Sequence, residues 1–141
     1  MSLMTAAEVQ AAIERNVASA LGFEFEVTAV TGDGAEVRVP FRENMVRLGD
    51  TVSGPVLMTL VDIALYAAVV GHVPDGEYGV TSHLNIEFLN RPPRAALAAR
   101  CRILRRGRRQ MTCTVSIESE SDGRLVAHAT GAYALFGPPP G

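Results

Sequence analysis

Asp62 is the residue of this sequence best placed to do chemistry. It is the only charged side chain between Val56 and Val70, inside the longer stretch Thr51–Val73, TVSGPVLMTLVDIALYAAVVGHV. So apolar a run predicts a helix buried on all sides. An ionised carboxylate there is costly unless it is compensated. Met58 and Tyr66 stand one turn away on either side. Taken alone, Asp62 suits a structural carboxylate tied to nearby backbone or Tyr66 as well as it suits a catalytic group. Ahead of it, Ser53 is expected to cap the helix, Gly54 to let the backbone turn, and Pro55 to fill the first turn, where a missing N–H costs nothing. Gly71 and Pro74 mark the end.

The elements around this helix must hold it and bring polar groups to Asp62. Thr5–Leu21 is predicted as an amphipathic helix with a Thr5/Glu8 capping box. Its buried face is Val9, Ala12, Ile13, Val17, Ala20 and Leu21, and Gly22 stops it. Phe23–Val30 alternates as a strand, with Phe23, Phe25, Val27 and Ala29 on one side. Gly32-Asp33-Gly34 turns it into a return strand carrying Val37 and Val39, which Pro40 ends. Phe41–Asp50 reads as a polar loop, and Val73–Tyr78 as a Pro/Gly loop. Gly79–Leu89 is a strand with Val80, Ser82, Leu84, Ile86 and Phe88 on one face and Thr81, His83, Asn85, Glu87 and Leu89 on the other. Leu97–Leu104 points Leu97, Ala99, Cys101 and Ile103 inward. Its partner does the same with Met111, Cys113, Val115 and Ile117 across the basic turn 105–109. Asp122-Gly123 turns into a last strand, Arg124–Phe136, and Gly137–Gly141 is a tail. Successive hairpins imply an antiparallel sheet. A helix apolar all round implies that the sheet curls about it, with a second subunit closing what remains.

Composition bounds the function. The 141 residues are 48% hydrophobic and 20% charged, with net charge -2, which suits one globular domain and gives no global argument for nucleic acid or membrane. Met1-Ser2-Leu3 ahead of Met4 reads as an expression remnant. All 13 basic residues are Arg. Two cysteines make no disulfide framework, so both are expected as reduced core thiols, and no targeting segment is visible; a cytoplasmic protein is expected. His72, His83 and His128 lack metal-ligand spacing, so no metal is expected. Nothing around Ser53 suggests a triad.

Three segments in order carry a resemblance: Gly54-Pro-Val-Leu-Met-Thr-Leu-Val-Asp62; Val80-Thr-Ser-His-Leu-Asn-Ile-Glu-Phe-Leu89 with Arg91-Pro92; and Ile103-Leu-Arg-Arg-Gly-Arg-Arg109 followed by Asp122-Gly123-Arg-Leu-Val-Ala127. The sequence resembles the hotdog-fold acyl-CoA thioesterases, in particular the phenylacetic-acid-degradation (PaaI-like) type, from about Phe23 to Leu135. The resemblance implies an α+β fold with an N-terminal helix and one long central helix wrapped by a curved antiparallel sheet of about five or six strands. It implies hydrolysis of an acyl-CoA thioester, with Asp62 as nucleophile or general base and the Gly54 N–H as oxyanion donor. Thr81 falls where some relatives carry a Ser or Thr that assists water. Ser53 would contribute its hydroxyl.

Substrate or CoA contacts are expected from Pro55, Met58, Tyr66, Ser82, His83, Asn85, Arg91, Arg106 and Arg108, and from residues of the Phe41–Asp50 loop. CoA is part of the substrate, and no cofactor is expected. The resemblance further implies a dimer or a dimer-of-dimers tetramer, with Gly54 and Asp62 of one site on different chains. The family's His-Gly-Gly loop is Ser53-Gly54-Pro55 in this chain, so a His is replaced and one N–H is lost. That departure keeps a second reading open, a non-catalytic module that binds acyl-CoA or only self-assembles. A weaker third is a dehydratase pairing His83 with Asp62.

Overall fold

A computed structural model describes residues 4–18 and 24–140. Helix α1 spans Ala6–Ile13, and the Thr5/Glu8 capping box is formed in both directions, at 3.2 and 3.0 Å. The helix expected to run on to Leu21 instead widens into a π turn at Glu14–Ala18. The stop expected at Gly22 and the strand start at Phe23 lie outside the described residues. Val9, Ala12 and Ile13 are buried where α1 lies against the central helix and the first strand.

Strands β1 (Glu26–Thr31) and β2 (Gly34–Val39) form the first hairpin. The pairing slips between Val27 and Ala29, so the bulge reverses the alternation expected for β1. Val30, not Ala29, then packs on the central helix at Gly71, where an added Cβ would stand 2.9 Å from Val30 Cγ1. Gln10 of α1 bonds both Phe25 O and Val27 N beside the bulge, at 3.1 and 2.6 Å.

The expected loop 41–50 contains structure of its own. A 3-10 turn at Glu43–Met45 leads into a small hairpin of β3 (Val46–Arg47) and β4 (Thr51–Val52). Gly49 and Asp50 carry its turn with positive φ. Arg94 holds it through Glu43 and Asp50, and Arg91 through Gly49 O at 3.2 Å.

Helix α2 spans Gly54–His72. By length and mean hydropathy, 1.8, it could cross a membrane, yet 67% of its most apolar window is buried inside the fold. After a 3-10 turn at Gly76–Tyr78 come β5 (Val80–Phe88), β6 (Leu97–Arg106), β7 (Gln110–Ser119) and β8 (Leu125–Ala134). The sheet has six strands in the order β1-β2-β6-β7-β8-β5, all antiparallel. It curves around α2, which touches every one of its strands. This is the hotdog arrangement the resemblance implies. Leu97, Ala99 and Cys101 of β6 and Met111, Cys113, Val115 and Ile117 of β7 are buried as expected. Both cysteines are free; Cys101 lies opposite Val115 and Cys113 opposite Ile103, so the thiols are diagonal neighbours.

The chain closes most tightly where β2 meets β6. A Cβ on Gly34 would fall 1.8 Å from the Cys101 carbonyl oxygen, whereas one on Gly32, two residues earlier in the turn, meets nothing within 4 Å. Gly34→Ala is therefore expected to cost about 3 kcal/mol or more, because backbone must move. Gly32→Ala should stay within about 0.5 kcal/mol of the parent. Urea denaturation of the two variants side by side checks this, and equal midpoints would contradict it.

Candidate functional site

α2 is not buried on all sides. Pro55, Met58, Thr59 and Asp62, spaced as one face of a helix, form a stripe that the sheet leaves uncovered. Met58 is 49% exposed and Asp62 half-buried, while Leu60, Val61, Ala64 and Leu65 on the other sides are fully buried. The reason lies in topology. β5 is one of the two edge strands and pairs only with β8, so the sheet ends beside this face.

Two hydroxyls reach the Asp62 carboxylate from neighbouring strands. Thr81 Oγ1 on β5 donates to Asp62 Oδ1 at 2.8 Å. Tyr133 OH on β8 donates to the same oxygen at 2.9 Å and lies 3.4 Å from the Asp62 carbonyl oxygen. Thr81 points at the helix because β5 bulges between Thr81 and His83. The extra residue, Ser82, reverses the alternation, so Thr81 shares the inner face with Leu84 and Ile86 and not with His83 and Asn85 as expected. Tyr133 faces inward in register with Met111, and its ring stacks on Tyr66 with centroids 5.9 Å apart. Tyr66 OH in turn donates to Glu77 O at 2.8 Å and accepts from Asn16 Nδ2 at 3.4 Å. Burial, then the nearby Asp62 charge, push the Tyr133 phenol well above the ordinary tyrosine range, and burial also raises Tyr66. Both phenols therefore stay protonated, and Tyr133 remains a donor to Asp62, across the working pH of proteins.

These groups wall a cavity of about 540 Å³ between α2, the π turn and β5. Met58, Asp62, Ile63, Tyr66, Thr81 and Tyr133 line it, with Asn16 and Glu77 at its polar margin. A second hollow, about 470 Å³, lies at the N-terminus of α2, where Gly54 faces Arg47, Leu48, Phe88 and Arg91. The residues expected from the Phe41–Asp50 loop thus line this second hollow and not the wall around Asp62. Gly54 and Asp62 stand apart along one helix, about 12 Å at 1.5 Å per residue.

Ser53 takes the backbone geometry of an N-cap, but its hydroxyl caps nothing. The usual targets are spoken for: Pro55 has no N–H, and Val56 N bonds Ser53 O at 3.2 Å. Among the described residues, Gly54 N–H has no backbone acceptor.

The remaining residues singled out from sequence are scattered. Ser82, His83 and Asn85 are exposed along β5 and line neither hollow, so His83 is not brought to Asp62. Arg106 and Arg108 are exposed at the β6–β7 turn, and Pro55 is exposed on the open stripe. Sequence reasoning missed Tyr133, Asn16 and Glu77. For Tyr133 a signal existed. The other inward residues of β8 are Ala127, Ala129 and Gly131, and a lone inward tyrosine among small residues needs a partner for its hydroxyl. Asn16 and Glu77 carried none, since both sit in irregular turns.

Residues 49–126 match the model of the thioesterase superfamily. A protein from Thermoplasma acidophilum, provisionally named an esterase, is 25% identical over 119 residues, 80% of this chain and 84% of its own. A solved structure from Silicibacter sp. TM1040, provisionally named a thioesterase, superposes with a TM-score of 0.85 at 28% identity, over 99% of this chain and 95% of its own. Two further structures share the fold at lower identity. One is the Escherichia coli PaaI protein from the phenylacetic acid degradation operon, with a TM-score of 0.79, 20% identity and 94% of each chain covered. The other is a hypothetical thioesterase with coenzyme A from Streptococcus pneumoniae, with a TM-score of 0.76 and 19% identity over 95% of this chain and 98% of its own. The wrapped helix and these likenesses agree: the chain belongs to the thioesterase superfamily, whose general chemistry is hydrolysis of a thioester.

Proposed function

We propose that the protein is an acyl-CoA thioesterase of the cytoplasm, with Asp62 as its catalytic carboxylate. The observation that carries this reading is a half-buried carboxylate held by two hydroxyls in the wall of a largely apolar cavity. A CoA thioester is the class of substrate suggested by the coenzyme A in the streptococcal structure.

In the water route, Asp62 takes a proton from water as the water oxygen bonds to the thioester carbonyl carbon. The resulting oxyanion is met by a Gly54 N–H, aided by the positive end of the α2 dipole. Collapse breaks the C–S bond, and the proton held by Asp62 passes to the CoA thiolate, giving the free acid and CoA. In the direct route the carboxylate itself attacks the carbonyl carbon and the C–S bond breaks, expelling the CoA thiolate and leaving a mixed anhydride; water then opens the anhydride, releasing the free acid and restoring Asp62, and the proton the water gives up goes to the thiolate. Thr81 supports either route through its bond to Asp62. Met58 and Tyr66 contact the acyl group, and Arg91 sits beside Gly54 where a CoA phosphate would gain a planar cation.

The separation of Gly54 from Asp62 along one helix supports a composite site, with the second hollow of one protomer facing the cavity of another. Leu48, Val80, Phe88 and Leu89 are exposed on or near the edge of β5 and suit burial against a second copy, in a dimer or tetramer. Pro55 favours one other reading. It removes an N–H from the helix start, and loss of an oxyanion donor costs on the order of 100- to 1000-fold in rate. A binding module that no longer hydrolyses would look the same there.

A thiol-release assay on aryl, short-chain and long-chain acyl-CoAs separates the two. Turnover of one class by the parent, lowered about 100- to 10,000-fold in Asp62→Asn, is expected for a hydrolase. Thr81 and Tyr133 can still donate to the side-chain carbonyl of the amide that replaces the carboxylate, so that variant should melt like the parent. A parent inert on the whole panel overturns the hydrolase reading. The composite site makes a further prediction. Asp62→Asn mixed with Gly54→Trp, each inactive alone, should regain about a quarter of parental activity once subunits exchange, because half the dimers then hold one intact site. Mixtures as dead as their components would place both groups of a site on one chain.

A further inference from the structure

The carboxylate of Asp62 is held asymmetrically. Thr81 Oγ1 and Tyr133 OH arrive from different strands, yet both donate to Oδ1, and among the described residues neither bonds Oδ2. Two donors on one oxygen fix the rotation of the carboxylate about its last torsion. They also draw charge toward Oδ1, because each is a charge-assisted bond in a partly dry site. The β8 side of the arrangement is deeply seated. Tyr133 is 4% exposed, lies in register with buried Met111 and stacks on Tyr66. Thr81 reaches Asp62 only because Ser82 is bulged out of the β5–β8 ladder.

We propose that Tyr133 is a positioning residue for the reaction, clamping Asp62 Oδ1 together with Thr81 so that Oδ2 is the oxygen that takes the water proton or attacks the thioester. The inference rests on the hydrolase reading of Asp62. It assigns to β8 a functional group that lies far from the helix and loop motifs of the sequence.

The experiment compares the parent, Tyr133→Phe and Thr81→Val. Phenylalanine keeps the stacked ring and removes only the donor, and valine keeps the branched shape. Steady-state kinetics are run on the best acyl-CoA of the panel at one neutral pH. In parallel, side-chain carboxyl chemical shifts are recorded by NMR at the same pH, with the Asp62 signal assigned by its absence in Asp62→Asn. Each variant is expected to lose about tenfold or more in kcat with KM within about twofold, and to move the Asp62 carboxyl signal from its parental position. An active parent whose kcat and Asp62 carboxyl signal are unchanged in both variants overturns the clamp while leaving the hydrolase reading intact. A parent inert on every ester overturns both, whatever the NMR spectrum shows. If Tyr133→Phe loses fold, Thr81→Val carries the same test from the other donor.

Discussion

Everything in this fold follows from one constraint: α2 has almost no face that tolerates water. Its residues from Leu60 to His72 are buried nearly without interruption, with Asp62 the exception. Such a helix has to be enclosed, and a flat sheet covers only one side of it. The six-stranded sheet therefore curves, with small residues where backbone and helix come close. Gly131 faces Leu65 and Leu84 with no room for a methyl group between them, and Gly71 of the helix does the same for Val30. Packing at that density makes the interior intolerant of added atoms. It also turns the one stripe left open into the natural place for a ligand.

Irregularities in the strands decide which polar groups meet that stripe. A regular β5 would turn Thr81 away from the helix; the bulge at Ser82 turns it inward and leaves the later residues to fill the core with Leu84 and Ile86. The bulge in β1 acts in the same way on Val30, and the π turn at Glu14–Ala18 places Asn16 and Val17 at the margin of the cavity. The bulge at Ser82 and the π turn are local breaks in hydrogen-bonding period next to the candidate site, where such breaks are enriched because they re-aim side chains without altering topology.

The electrostatics of the site are those of a shared solvation shell. Asp62 gives up part of its water and receives two hydroxyls in exchange. Tyr133 gives up water too, and its hydroxyl is satisfied by the same contact, so neither group is left unpaired. The stacked Tyr66 extends the network to Glu77 and Asn16, tying the helix, the 3-10 turn and the π turn into one wall.

Much of this was legible in residue order. The apolar run fixed α2 and its limits near Ser53 and Gly71, alternation fixed the inner faces of β6 and β7, and the turn residues fixed the hairpins, because each of these is a local property of a short stretch. Asp62 stood out for the same reason, as one charge in a segment that should exclude it. What the tertiary structure alone decided is which side chains meet. A bulge leaves no mark in a period-two pattern until the partner strand is known, so alternation alone groups Thr81 with His83 and Asn85, which point away. Tyr133 is separated from Asp62 by 71 positions in sequence and joins it only because β8 lies between β7 and β5. The hydroxyl of Ser53 looked like a cap until Val56 N–H took the Ser53 carbonyl instead. Sequence by itself determined the helix, the strands and the lone carboxylate; strand order and register, which are long-range pairings, decided what surrounds that carboxylate.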